Sequence, residues 1–155
     1  MQTVIPSQYP IEIDEIDSAI IEKLRLDGRT AFAQIAQELN VSPGMIRIRY
    51  NRLVQNGCLK VVAITNPLQM GYETMGLIGI RVDGNKLLEV ANKIAIFDEV
   101  IYLVITSGSY DILAEVRTQD HAQFLKFLTE KLYQIDGVRG SESFLHLKII
   151  KEIYY

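Results

Sequence analysis

Hydrophobic residues recur at intervals of three and four positions through the first third of the chain, the period of a helix with one buried side. The pattern predicts a first helix from the capping residue Asp14 to Gly28, and a second from Thr30 to Asn40. Their buried positions are predicted to be Ile16, Ile20, Leu24, Phe32, Ile35, Ala36 and Leu39. We therefore expect two helices that pack through these apolar sides.

A third helix is predicted from Ser42, its N-cap, to Gly57, its stop, with Pro43 at the first helical position. Its buried positions are Ile46, Tyr50, Leu53 and Val54, followed by Leu59 in the next loop. Its outward positions are Gly44, Arg47, Ile48, Asn51 and Gln55. Because only a short turn separates the second helix from the third, the pair matches a helix-turn-helix.

The second half of the chain alternates between strand and helix periods. Strands are predicted over residues 75–82, 100–106, 111–117 and 143–153, and helices over 85–97 and from Asp120 to Gly137. The order β-α-β-β-α-β is the ferredoxin-like one, with a four-stranded antiparallel sheet and both helices on one face. The strand at 100–106 is expected to be buried.

The fold class is therefore α+β, with two domains. Residues 1–60 are predicted to form an N-terminal arm and a three-helix helix-turn-helix (winged-helix-like) domain, and residues 73–155 a ferredoxin-like domain. Residues 61–72 carry a short strand signal followed by Asn66, Pro67 and Gly71, which indicate a hinge linker. The first dozen residues, with Pro6 and Pro10, are expected to be an extended arm.

The helices leave one sheet face uncovered, and that face is predicted to be apolar. Leu77, Tyr102, Val104 and Phe144 alternate onto it. A face of this kind is seldom exposed to water, so we expect two copies to associate sheet to sheet. Such a dimer would also place two helix-turn-helix units at successive major grooves of DNA.

Charge changes this picture in one region. The chain has 16 Lys and Arg against 19 Asp and Glu, a net charge of -3, which argues against a protein that coats nucleic acid generally. Residues 40–72 nevertheless contain no acidic residue and include Arg47, Arg49, Arg52 and Lys60. Binding to double-stranded DNA is therefore expected through a local patch.

The residue types in the patch predict different contacts. Arg47 and Asn51 are types that make paired hydrogen bonds to guanine and adenine edges, whereas Arg49, Arg52 and Lys60 are expected at phosphates. The predicted DNA-binding set is Ser42, Gly44, Arg47, Ile48, Arg49, Asn51, Arg52 and Lys60. The alternative is a three-helix packing unit whose arginines are only solvated, with Ile48 an isolated surface residue rather than a contact for a thymine methyl group.

Cysteine and hydropathy suggest the compartment. Cys58 is the one cysteine, so no internal disulfide is possible, and it is expected to be a packed residue rather than a nucleophile. No apolar run reaches transmembrane length, and the N-terminus lacks the layout of a signal peptide. The expectation is a cytoplasmic protein that does not enter a membrane.

Several short motifs resemble one family over nearly the whole chain. They are Asp27-Gly28-Arg29, Val41-Ser42, Arg52-Leu53, Gly108-x-Tyr110-Asp111 and Gly137-Val138. The chain resembles the leucine-responsive regulatory protein family, also called Lrp/AsnC or feast/famine regulators. The resemblance implies a transcription regulator whose C-terminal domain forms homodimers and assembles further, often to octamers, with an amino acid bound between dimers and no other cofactor.

The resemblance also implies an effector site. It would be built from Thr106, Gly108, Tyr110 and Asp111 together with a loop over residues 140–143 that carries Ser141 and Ser143. A carboxylate at Asp111 can pair with an α-ammonium group, and the serine hydroxyls can donate to a carboxylate. The alternative is that residues 107–111 are only a hairpin turn, which Gly and Asp favour.

Two other function classes use the same residues. An architectural, chromatin-like protein would bind DNA through the same arginines without a ligand and with a steep salt dependence. Some proteins of this fold decarboxylate a modified tetrapyrrole, but His121 and His146 are far apart in the sequence, and no metal-ligand cluster or catalytic triad is indicated. The expectation is a protein that is not an enzyme.

Overall fold

The computed structural model describes residues 11–151, apart from the side chain of Leu68. The chain divides into two compact units between Ile64 and Thr65, within the segment predicted as a linker. Most of the predicted N-terminal arm and the end of the predicted last strand lie outside the described residues.

The first unit is a bundle of three helices, α1 (Glu15–Leu26), α2 (Phe32–Glu38) and α3 (Pro43–Gln55). Each contributes two residues to a common core, namely Ile20, Leu24, Ile35, Ala36, Ile46 and Leu53. The predicted apolar stripes are therefore confirmed. The Phe32 and Tyr50 rings, with centroids 5.0 Å apart, extend the contact between α2 and α3.

The helix ends agree with the sequence in part. Asp14 accepts the amide of Asp17 at 2.9 Å, and Ser42 accepts the amide of Met45 at 3.2 Å, so both predicted caps are confirmed. The predicted cap at Thr30 is wrong, because its hydroxyl donates to the Asp27 carbonyl at 2.7 Å and α2 is preceded by Ala31 without a side-chain cap.

Gly28 lies two residues past the end of α1, where the sequence predicts its stop, but it does not take a positive φ. Helix α1 ends at Leu26, and Asp27 is already extended. Gly57, by contrast, ends α3 as predicted: it has φ 73°, and the amides of Gly57 and Cys58 donate to the carbonyls of Val54 and Leu53 at 3.0 and 2.9 Å. These two bonds satisfy carbonyls that the helix leaves unpaired.

The second unit contains β1 (Thr74–Val82), α4 (Leu87–Ala95), β2 (Val100–Ile105), β3 (Ile112–Thr118), α5 (His121–Lys126) and β4 (Val138–Leu145). The α5 segment continues through a π-helical turn and a short 3-10 turn to Gln134. The sheet is antiparallel in the order β2-β3-β1-β4, so the predicted β-α-β-β-α-β arrangement is confirmed. Its core joins one sheet face to the helices through residues such as Ile78, Ile80, Val90, Ile94, Val116 and Phe127.

Three local predictions are wrong. Strand β4 begins at Val138 rather than Ser143 and ends at Leu145, because it pairs with β1 only from Val82 to Gly76. Strand β2 is not buried, since it is an edge strand of the sheet and Tyr102 is 55% exposed. The strand signal at 61–65 forms no strand.

Cys58 is exposed rather than packed. The chain has turned at Gly57 by this point, so the residue lies beyond the apolar side of α3. The apolar residues around Cys58 in the sequence predicted burial, but the turn at Gly57 directs the chain so that Cys58 is exposed.

Candidate nucleic-acid interface and effector region

The outward face of α3 is the surface that the sequence predicted. Gly44, Arg47, Ile48, Asn51 and Gln55 are all exposed, and Ile48 is exposed to 72%. Among residues 11–151, Arg47 and Lys60 form no ion pair, so both charges are available to a ligand. An apolar residue between a free guanidinium and a free carboxamide fits a surface that reads base edges.

Two depressions adjoin the start of α3. One is lined by Asp14, Ser42, Gly44, Met45, Ile48, Arg49 and Arg52, and the other by Phe32, Ala33, Pro43, Gly44 and Arg47. The first half of α3 therefore gathers most of the predicted DNA-binding residues. Lys60 is separate from them and lines a groove with Arg25, Gly28 and Val61.

Arg49 and Arg52 differ from Arg47 because carboxylates of the same unit hold them. Arg49 donates to Asp14 at 2.6 Å and to Asp17 at 3.0 Å, and Arg52 donates to the other oxygen of Asp17. The side chain of Asp17 is 0% exposed. The two arginines predicted as phosphate contacts are thus paired with carboxylates of α1 and its cap, while the Arg52 side chain stays 45% exposed.

The acidic partners also shape the titration of this cluster. The amide of Asp17, and then the guanidinium of Arg49, hold the pKa of Asp14 below its ordinary value of 3.8. Hydrogen bonds to Asp14 and then Asp17 raise the pKa of Arg49. The sequence predicts Asp14 as a helix cap, and Asp14 with Asp17 belongs to the motifs that resemble the family, but the ion pairs of these carboxylates with Arg49 and Arg52 were not predicted. The D-x-x-D spacing of a reciprocal cap was the available signal.

The predicted effector residues of the β2–β3 loop are tied to the sheet. The amide of Val82 donates to the Asp111 carboxylate at 2.8 Å, and the amide of Asp111 donates to the Ile80 carbonyl at 2.9 Å. The Thr106 hydroxyl donates to the Tyr110 carbonyl. Gly108 is exposed, and a Cβ atom there would meet no atom within 4 Å. The loop is therefore anchored at its ends and open at its tip.

Tyr110 lies on the uncovered sheet face and not in the open part of the loop. Its ring covers Gly79, where a Cβ atom would approach the ring to 2.6 Å, and the Arg81 guanidinium stands 5.1 Å from the ring centroid. The phenol donates to Glu142, which raises the pKa of Tyr110, and the Phe144 ring meets it edge-on at 6.3 Å. Sequence reasoning missed Glu142, because only the strand register places it beside Gly79.

Ser141 and Ser143 lie apart from that loop. They pair with Ile80 and Ile78, whose side chains face the helices, and the Ser141 hydroxyl lies 2.9 Å from the Tyr133 hydroxyl. The loop predicted over 140–143 is wrong, since these residues are part of β4. Strand β1 separates them from Asp111, so the six predicted effector residues form two groups within one chain.

The described part of the chain contains neither a cluster suited to a metal ion nor a helix suited to a membrane. Residues 11–151 bring together no group of three His, Cys, Asp or Glu side chains that could hold a metal ion. Within the same range, none of the helices has the length and hydropathy needed to cross a membrane.

Comparison with known proteins identifies both units. Residues 13–54 match the AsnC-type helix-turn-helix domain, and residues 76–154 match the Lrp/AsnC ligand binding domain. The two matches cover the three-helix bundle and the ferredoxin-like unit. The predicted fold class is therefore confirmed at the level of the family.

The chain is similar to known regulators over most of its own length and of theirs. An uncharacterised HTH-type transcriptional regulator of Pyrococcus horikoshii is 36% identical over 140 residues, covering 90% of this chain and 89% of that protein. The regulatory protein AsnC of Haemophilus influenzae is 32% identical over 145 residues, covering 91% and 97%. The solved structure of E. coli AsnC superposes with a TM-score of 0.86 at 28% identity, covering 94% and 99%. These relatives are regulators rather than enzymes, and the chain belongs to the Lrp/AsnC family of transcription regulators.

Proposed function

We propose that the protein binds operator DNA through the outward face of α3 and changes its DNA binding and assembly when an amino acid occupies the C-terminal unit. The observation that carries the DNA part is that Arg47, Ile48 and Asn51 are exposed side by side while the charge of Arg47 is unpaired within residues 11–151. Arg47 reads guanine, Asn51 reads adenine and Ile48 contacts thymine methyl groups.

Backbone contacts complete this interface. Lys60 binds phosphate, and the helix start at Ser42 and Gly44 presents amide groups to a phosphate, where the helix dipole favours negative charge. Such contacts orient the helix without specifying sequence. The protein therefore works in the compartment that holds the DNA, which for a bacterial or archaeal regulator is the cytoplasm.

The ligand is proposed to be an amino acid bound near the β2–β3 loop. The Asp111 carboxylate has a second oxygen for an α-ammonium group after accepting the Val82 amide, and Gly108 leaves space at the loop tip. A structure of a Neisseria meningitidis regulator with the same fold is described as a complex with L-methionine, with a TM-score of 0.81 at 22% identity. Ile101 and Ile105 in β2, each 42% exposed, favour a ligand with an apolar or amide side chain.

Two copies are proposed to associate through the uncovered sheet face. Further assembly would bring the effector residues of different copies together. That face carries the charged residues Arg81, Glu115 and Glu142. Its apolar side chains Leu77, Tyr102, Leu113 and Phe144 are exposed or half-buried. Burying them against a second copy gives the dimer. Because β1 separates Asp111 from Ser141 and Ser143 in one chain, a site that uses both groups is completed between dimers, as in an octamer.

A thermal-shift screen against the twenty amino acids tests the effector proposal. A ligand that binds only the folded state stabilises it by about 2.7 kcal/mol at a hundredfold excess over Kd, so the melting temperature of the full chain should rise by several degrees with one or a few amino acids. The same amino acid should alter the gel-shift pattern on the promoter of the protein's own gene. Unchanged melting with every amino acid at millimolar concentration would contradict an amino-acid effector.

The substitution Gly79→Ala tests the proposed dimer face. The new Cβ would lie 2.6 Å from the Tyr110 ring, so the ring must leave its position against Glu142 and Phe144. Overpacking of this kind costs about 1–3 kcal/mol. Because the proposed dimer needs the ring in its original position, this cost falls on association, and we expect self-association to weaken roughly five- to 150-fold.

Sedimentation over a range of concentrations measures that change. Gly84→Ala is the matched control, because a Cβ atom there meets nothing within 4 Å. Equal association constants for the wild type and Gly79→Ala would rule out this face as the primary interface.

A further inference from the structure

We infer that Asp14 and Asp17 of α1 position the DNA-reading helix, and that Arg49 and Arg52 act through these carboxylates rather than as phosphate contacts. The inference rests on the proposed DNA binding by α3, which it deepens. In this view the four charged side chains hold α3 in a fixed orientation against α1. This leaves Arg47 and Lys60 as the cations that meet DNA.

The burial of Asp17 supports this positioning role. Asp17 has 0% exposure, yet it lies at the start of α1, where a carboxylate usually faces water. A buried carboxylate is costly to desolvate unless it is paired and hydrogen-bonded. Here one oxygen accepts from Arg49 at 3.0 Å and the other from Arg52. If either guanidinium left Asp17 to bind a phosphate, the buried Asp17 carboxylate would lose one of its two cationic partners.

The arrangement of the ion pairs along α3 also supports the positioning role. Arg49 and Arg52 lie three positions apart on the same side of α3, so the two ion pairs fix both the rotation and the height of α3 against α1. Asp14 and Asp17 also cap each other's backbone amides, at 2.9 and 3.3 Å, which makes their carboxylates rigid. This rigid acceptor pair at the start of α1 and the two donors on α3 form a clamp defined by Asp14, Asp17, Arg49 and Arg52.

The outward face depends on this clamp. Arg47, Ile48 and Asn51 lie in the same two turns of α3 as Arg49 and Arg52, so a rotation of the helix would move all three relative to the groove. The clamp therefore stabilises the orientation in which base edges are read. It also lowers the number of free cations, which limits binding to DNA of arbitrary sequence.

Salt dependence distinguishes positioning from phosphate contact. The logarithm of the binding constant is measured against the logarithm of salt concentration for operator and random duplexes, using the full chain. Lys60→Gln is the reference variant, and each phosphate contact that it removes should lower the slope by about 0.9. Arg52→Gln and Arg49→Gln should leave the slope unchanged, lower the melting temperature and reduce the preference for operator over random DNA.

Substitution of the two aspartates should change the salt slope in the opposite direction to Lys60→Gln. Asp17→Asn leaves two guanidiniums beside one charged carboxylate, so we expect a steeper salt slope. We also expect an operator preference that falls roughly five- to 150-fold, the discrimination of one bidentate base contact. Asp14→Asn retains the helix cap, because Asn caps as well as Asp, but loses the pair with Arg49. Asp14→Asn should therefore lower the preference for operator DNA. It tests the clamp even if Asp17→Asn does not fold.

Two results would overturn the inference. One is a slope that drops for Arg49→Gln and Arg52→Gln as much as for Lys60→Gln, which would make them phosphate contacts. The other is a lower melting temperature for Asp17→Asn or Asp14→Asn with unchanged slope and preference, which would make the clamp merely structural. Absence of DNA binding by the wild type would instead contradict the proposed function, so the two failures are distinguishable.

Discussion

Replacing Arg47 with alanine should remove most of the preference for operator over random DNA while leaving the protein folded. Arg47 is exposed on α3 and has no ion pair within residues 11–151, so its loss breaks no internal contact of that kind. A bidentate arginine–guanine contact is worth about 1–3 kcal/mol of discrimination, which corresponds to roughly five- to 150-fold for each recognition helix. Competition binding with the two duplexes at fixed salt measures this ratio.

Arg29→Ala is the matched control for the loss of one positive charge. Arg29 is 92% exposed, lies outside α3 and pairs with Asp27. We expect it to change operator and random binding little and equally. Equal losses of affinity on both duplexes for Arg47→Ala would show that Arg47 contacts phosphate and not a base edge.

Replacing Asp111 with asparagine should abolish the response to the amino acid without loosening the sheet. The asparagine carbonyl oxygen can still accept the Val82 amide, which lies 2.8 Å from the carboxylate, but the negative charge that pairs with an α-ammonium group is lost. Hydrogen bonds to charged groups contribute about 1.5–3 kcal/mol, so ligand affinity should fall roughly ten- to 150-fold. Ligand titration by calorimetry measures it.

Asp111→Ala separates the two roles of the carboxylate. It should lose the ligand response as well, and should also destabilise the C-terminal unit by about 1–3 kcal/mol, because the Val82 amide loses its acceptor. Chemical denaturation of the two variants reports the difference. A thermal shift for Asp111→Asn as large as that of the wild type would remove Asp111 from the site.

Local patterns predicted most of the fold because they report local physics. The apolar spacing in α1, α2 and α3 is set by which positions face a common core, and the core contains Ile20, Leu24, Ile35, Ala36, Ile46 and Leu53 as expected. The caps at Asp14 and Ser42 satisfy amides within three residues of themselves. Such features need no knowledge of distant segments.

The misses depend on partners that are remote in sequence. Arg-Gly-Ser at 139–141 is a weak strand former, but it pairs with β1, whose backbone groups require hydrogen-bond partners. The 100–106 segment is apolar enough for a central strand, yet topology puts β2 at an edge. The family resemblance implies one site for Ser141 and Asp111, but the strand order places β1 between them in a single chain.

The sequence by itself determined which residues face outward on α3 and which unit of the chain carries each task, because helical period and charge are properties of adjacent residues. Only the tertiary structure decided which arginines are free. Arg47, Arg49 and Arg52 are chemically identical in the sequence, but a buried carboxylate on α1 holds two of them. The reason is physical: the availability of a charge depends on what lies across the helix interface, and Asp17 precedes Arg49 by 32 positions.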